Sequence, residues 1–149
     1  CMYRKTRTPH AAARRMTVFA RSVYLQGLLL MPEENIIPEL AAAIPARRQL
    51  QALAEQAGMG MDELALRYIL SLDGVTSVIT GVETVEQMRR NTQLFALGAL
   101  PPDLLAAARQ AVPELPDALL TPKTWSNSMP SRPKNKTGPA IRKETDSRQ

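Results

Sequence analysis

Tyr3, Lys5 and His10 are residue types that move protons, and they lie close together near the start of the chain. They would make a catalytic group only if something held them in register. Residues 1–15 show no apolar periodicity that could anchor such a group to a core, so they read as solvated charge. His10 is the single histidine and Cys1 the single cysteine, which excludes a His-rich metal site, an internal disulfide and a cysteine metal cluster. A second place with local chemistry is Thr84-Val85-Glu86-Gln87. This is a capping box: the Thr hydroxyl accepts from one orphan amide of a starting helix, and the Gln side chain reaches back to the other.

The elements that must position such groups occupy the middle of the chain. Of its 149 residues, 44% are hydrophobic and 4% aromatic, so a single core would be built from Leu, Ala, Ile, Val and Met. The isoelectric point near 9.8 suggests a nucleic-acid partner, but the distribution of charge does not. Residues 1–15 carry five basic residues and no acid, and residues 126–149 carry six basic residues and two acids. Residues 16–125, with eight basic and twelve acidic residues, are mildly acidic. Both ends lack interleaved aromatics, so stacking on nucleic-acid bases is not expected. No apolar run approaches the roughly 18 residues of a membrane span, and the basic start resembles a transit peptide only weakly. A cytoplasmic protein without a membrane partner is expected.

Met16 to Tyr24 is a compact β-rich run, predicting a buried strand over 16–23. A loop with Pro32 follows, then a short helix over Ile36 to Ala43. Pro45 opens a longer helix, with Leu50, Leu53, Ala54 and Ala57 on one stripe and Gly58 as its stop. Asp62 to Ser71 predicts a second helix with Leu66, Ile69 and Leu70 apolar, and its acidic start suits the helix dipole. After an Asp73-Gly74 turn, residues 76–80 predict a second strand ending at Gly81. The helix capped by Thr84 places Val85, Met88, Thr92 and Phe95 on one face, and Pro101-Pro102-Asp103 opens a last helix with Leu104, Leu105, Ala108 and Val112 inward. Pro113 and Pro116 stop it. After Trp125 hydrophobic content collapses, and residues 126–149 are expected to be disordered. The fold class is α/β, with the strands parallel because their connection is long enough for a crossover. Two parallel strands leave unpaired edges and an uncovered face, so this arrangement is made to sit beside more strands.

In order and wording, residues 16–125 resemble the last quarter of an aldo-keto reductase, a (β/α)8 TIM barrel. Members often read A-Y-S-P-L-x-x-G-L-L at the seventh strand, where this chain has Ala20-Arg21-Ser22-Val23-Tyr24-Leu25-Gln26-Gly27-Leu28-Leu29. Members often read G-x-x-x-x-x-Q-x-x-E-N after the eighth strand, where this chain has Gly81, Gln87, Arg90 and Asn91 at the same spacing. Glu63 to Leu70 followed by Gly74-Val75 has the family's cadence, and Leu120 to Trp125 resembles the closing segment of one bacterial branch. The resemblance implies a partial barrel, about the last two β/α units, between a basic segment 1–15 and a basic tail 126–149. It implies an NADP or NAD cofactor across the carboxyl ends of the strands. Ser22 would bond the pyrophosphate region, Gly81 would permit close approach, the helix N-terminus would offer amides to a phosphate, and Gln87 and Asn91 would bond the adenosine end.

Two departures stand out. Arg21 occupies the position of the aromatic ring that usually stacks on the nicotinamide; a guanidinium can stack there but brings a charge. NADP-specific members often carry Lys at the Gly81 position and Arg at the Gln87 position. Their absence removes charge-assisted bonds of about 1.5–3 kcal/mol each. Preference for NADP over NAD is thereby put in question, with Arg90 the nearby cation that would compensate. The family's catalytic Asp, Tyr, Lys and His come from earlier strands and cannot be assembled here; a barrel needs about 250 residues. The expectation is therefore an NAD(P)H-dependent oxidoreductase fragment from a truncated, frameshifted or interrupted gene. It would bear part of the cofactor site, and the missing N-terminal barrel half would be its partner if expressed separately. The alternative is a non-enzymatic interaction or nucleic-acid-binding protein that uses its basic ends.

Overall fold

In the computed structural model, residues 13–14, 16–112 and 125 are described. The expectations for Tyr3, Lys5 and His10, for the stop at Pro113 and Pro116, and for the tail 126–149 fall outside them. Strand β1 (Phe19–Arg21) is followed by 3-10 turns at Leu25–Gly27, Glu33–Asn35 and Pro38–Ala43, then helices α1 (Ile44–Gln56) and α2 (Met61–Leu70). Strand β2 (Ser77–Ile79) and helices α3 (Val85–Ala96) and α4 (Pro102–Ala111) complete the order. The two strands pair in parallel, Phe19 opposite Ser77 and Arg21 opposite Ile79.

Both strands are shorter than the β-rich runs that contain them. At the start, the Val18 carbonyl accepts from the amides of Thr76 (2.9 Å) and Ser77 (3.2 Å), extending the pairing without a full ladder step. At the end, Ser22 takes a left-handed φ of 60° and turns the chain out of the sheet. The expected helix over Ile36 to Ala43 forms as 3-10 turns. The six-residue piece from Pro38 runs straight into α1, with Pro45 in that helix's first turn. Helix α1 ends as expected at Gly58. The glycine adopts φ 68°, and the Met59 amide reaches back to the Ala54 carbonyl at 3.0 Å, a Schellman closure.

Alternation along the strands decides what the sheet does. Ala20 and Val78 point to one face and pack with Val23, Leu66, Ile69 and Leu94, so α2 and α3 cover that side. Phe19, Arg21, Ser77 and Ile79 point to the other, where Phe19 is 58% and Ile79 55% exposed. Among the described residues the helices pack on one side of the sheet, which leaves apolar side chains exposed on the other. A second cluster joins α1, α2 and the start of α4 through Ala54, Leu64 and Leu100, with Leu104 and Leu105 packed on it. A third seats Trp125 against Leu28, Leu40 and Ala43.

Helix α3 departs from the simplest reading of its stripe. Val85, Met88 and Phe95 do share a face, but it is the exposed one. The buried side chains are Asn91 and Leu94, on the adjoining flank. Helix α2 buries Leu66 and Ile69 as expected, and Met61 and Leu64 besides. On α4, Ala108 is buried and Leu104 and Leu105 turn inward.

Candidate functional site

Parallel pairing brings the carboxyl ends of both strands to one edge, and the candidate residues gather there because of it. Arg21 sits opposite Ile79 at the last paired position, so Ser22 and Thr80 are the first residues beyond the sheet. Arg21 and Ser22 are exposed. Beyond Ser22 the backbone doubles back through three more left-handed residues, Leu25 (46°), Gln26 (54°) and Gly27 (94°). The Ser22 carbonyl accepts from the Leu25 amide at 2.9 Å, which closes the first of these turns. Gly81 is exposed, and no heavy atom lies within 4 Å of the place a Cβ would occupy, so packing does not require glycine there.

Helix α3 opens as its sequence implies, with one shift. The Gln87 amide donates to Thr84 Oγ1 at 3.1 Å. Gln87 Oε1 accepts in return, but from the amide of Glu83 at 2.7 Å, one residue before the cap rather than from the cap itself. The amides of the first helical residues have no intrahelical acceptor and face the same end as Ser22 and Gly81. Glu86 lies in that first turn and Glu83 just before it. Replacing Thr84 by Ala should destabilise the chain by about 0.5–2 kcal/mol. Urea unfolding followed at 222 nm would show it; an unchanged midpoint would mean that the cap contributes nothing.

The polar residues on the inward flank of α3 are already partnered. Asn91, only 7% exposed, accepts from the Tyr24 hydroxyl at 3.3 Å and donates through Nδ2 to Thr80 Oγ1 at 3.3 Å. One carboxamide thus ties the loop after β1, the end of β2 and α3 together. Arg90 donates from Nε to Asp62 Oδ2 at 2.8 Å and from its terminal nitrogen to Oδ1 at 3.4 Å, with Glu63 at 3.9 Å. Glu63 in turn pairs with Arg67 at 2.8 Å, one helical turn along α2. Burial works against the Asp62 carboxylate, but hydrogen bonds from Arg90 and from the backbone of Glu63 and Asp62 outweigh it, and its pKa falls below the ordinary value. Burial, and then the charge of Asp62, raise the Tyr24 hydroxyl above its ordinary value, with Arg90 opposing.

Linear reading did not single out Tyr24, Asp62 or Thr80 for this site. Asp62 read only as a helix-start acid, and Tyr24 only as the end of a strand. Their partners are 28 residues away for Asp62 and 67 for Tyr24, beyond any spacing rule. Among the described residues no group of three His, Cys, Asp or Glu could hold a metal ion. No described helix is long and apolar enough to cross a membrane.

Residues 4–112 match the family model described as the aldo/keto reductase family. No curated protein matches the chain. The match takes in both strands, the four helices and every candidate residue at the carboxyl edge, and it shows that the chain belongs to the aldo/keto reductase family.

Proposed function

We propose that residues 16–112 are the last two β/α units of a (β/α)8 barrel, bearing part of the nicotinamide-dinucleotide site of an oxidoreductase. The cofactor-contacting residues in this reading are Arg21, Ser22, Gly81, Gln87, Arg90 and Asn91. The observation that carries it is the parallel register, which sets Arg21 opposite Ile79 and so brings the ends of both strands, with Ser22 and Gly81 beyond them, to one edge of the sheet. That is the edge at which barrel enzymes bind their ligands. The exposed apolar side chain of Ile79 supports the same reading, since in a barrel it would point into an interior filled from other strands.

The groups at this edge suit a dinucleotide. The Ser22 hydroxyl and the first amides of α3 are donors for a pyrophosphate, and the open space at Gly81 admits close approach. The planar guanidinium of Arg21, exposed at the end of β1, is of a kind that stacks on a ring. Aldo/keto reductases generally use NAD(P)H, which supplies a hydride. The proton for a carbonyl oxygen must come from the protein, and here the described residues contain no lysine and no histidine. Their Tyr24 hydroxyl is turned toward Asn91 and is a weaker acid than a free tyrosine. In this reading the described residues hold cofactor-binding parts and no general acid.

Titration of the isotopically labelled chain with NADH or NADPH, followed by amide shifts, tests the site. Shifts should concentrate at Ser22, Gly81 and Thr84 to Glu86. The dissociation constant should be weaker than about 0.1 mM, since so few contacts fall short of about 5 kcal/mol. Shifts confined to the helices away from this edge would sink the reading.

A further inference from the structure

We propose that Thr17 is a phosphoacceptor, modified by an ATP-dependent protein kinase that recognises paired arginines. The inference is independent of the cofactor reading above.

The sequence Arg-Arg-x-Thr occurs twice, at Arg14-Arg15-Met16-Thr17 and at Arg89-Arg90-Asn91-Thr92. Arginines three and two residues before a hydroxyl suit a kinase with acidic pockets beside its catalytic groove, since guanidinium–carboxylate contacts are strong and directional. The linear motif does not separate the two threonines, but the structure does. A kinase must draw the acceptor segment out, so that each side chain meets its own pocket and the hydroxyl lies in line with the γ-phosphate. Thr92 lies inside α3, where its hydroxyl donates to the Met88 carbonyl at 2.9 Å. Arg90 before it is bonded to Asp62 at 2.8 Å, and Asn91 between them is buried. Presenting Thr92 would unwind a helix that carries Leu94 of the core.

Thr17 has none of these constraints. It is exposed, as is Arg14, and residues 16–18 belong to no helix or strand. Val18, the apolar residue after the acceptor, is half-buried. Its amide donates to Thr76 Oγ1 at 3.1 Å, and its carbonyl accepts from the amides of Thr76 and Ser77. These bonds lie at the end of a short sheet, where opening costs little. Charge agrees with this choice. No Asp or Glu precedes Glu33 in the sequence, so no neighbouring acid repels an acidic pocket. A related run, Arg142-Lys143-Glu144-Thr145, has an acid on each side of its threonine and falls outside the described residues. In the reaction Thr17 Oγ1 forms a bond to the γ-phosphorus of ATP, the bond to the ADP oxygen breaks, and the hydroxyl proton passes to the kinase's carboxylate base. The product carries about −1.5 to −2 charge directly after a segment of five basic residues and no acid.

The test incubates the full chain with Mg-ATP and the catalytic subunit of cyclic-AMP-dependent protein kinase, and maps phosphate by mass spectrometry of peptides. A synthetic peptide of residues 12–20 is the positive control. The chain should take up phosphate at Thr17. Thr17→Val should abolish that uptake, and Thr92→Val should leave it unchanged. Arg14→Ala should slow it by about tenfold or more, as loss of one charge-assisted contact does. Far-UV circular dichroism confirms that each variant is folded, and the site map of the wild type tests the idea without them. Phosphate at Thr92 or Thr145 with Thr17 unmodified overturns the proposal. So does a wild-type chain that stays unmodified while the peptide is labelled, or an Arg14→Ala chain modified at the wild-type rate.

Discussion

Mixed with NADPH or NADH and a panel of aldehydes and ketones, the purified chain will oxidise no cofactor above the uncatalysed rate. Carbonyl reduction requires a proton donor within about 3 Å of the oxygen as hydride arrives, and a positioned acid contributes roughly 10²–10⁴-fold. The described residues offer Tyr24 and Tyr68 as the only phenols. Tyr68 packs into the clusters between the helices. Tyr24 already donates to Asn91, and burial beside Asp62 makes it a poorer acid still. No lysine or histidine stands near either among those residues to raise its acidity. Positioning is lost as well, because the two described strands cannot enclose a nicotinamide ring and exclude water. Steady-state absorbance at 340 nm decides the matter. Turnover abolished by mutating Tyr3 or His10 would reveal a real catalytic group in the N-terminal segment and end the present reading.

Leu66→Ala will destabilise the chain more than any surface change. Leu66 is fully buried at the meeting point of the sheet and two helices, beside Ala20 of β1, Val23 just beyond that strand, Ile69 from its own helix and Leu94 from α3. Truncation leaves a cavity that no single neighbour can fill, at a cost of about 2–5 kcal/mol. A domain of this size has only about 5–15 kcal/mol in total. With a urea m-value of about 1–3 kcal/mol/M, the unfolding midpoint should fall by about 1 M or more. Leu66→Met, which conserves volume, should cost less than about 1.5 kcal/mol. Leu97→Ala, at a half-exposed position, should stay within about 0.5 kcal/mol. A Leu66→Ala midpoint equal to that of Leu97→Ala would mean that this cluster is not what joins the sheet to its helices.

The difference between these two leucines is already half visible in the sequence, since Leu66 lies on a 3.6-residue stripe with Ile69 and Leu70. By itself the sequence determined the elements and their order. Period-2 and period-3.6 patterns, Pro45 at a first turn, Gly58 at a stop and Thr84 at a cap are all local physics, resolved within a few residues of chain. Parallel pairing followed from the length of the crossover. The family was legible from Ala20 to Leu29 and from Gly81 to Asn91, because motif spacing is also linear.

Tertiary structure decided which flank of α3 is buried. That helix offers an apolar row at Val85, Met88 and Phe95, and a mixed one at Asn91 and Leu94. Amphipathicity alone favours the first. The core took the second, because Leu94 meets Leu66 and Ala20 across the covered face of the sheet, and Asn91 can be buried there with both ends of its carboxamide satisfied by Tyr24 and Thr80. Likewise Arg90 read as a cation for the cofactor, and only packing of α3 against α2 set it on Asp62. Burial and charge pairing between elements depend on which surfaces meet, and surfaces 28 or 67 residues apart meet only once the chain has folded.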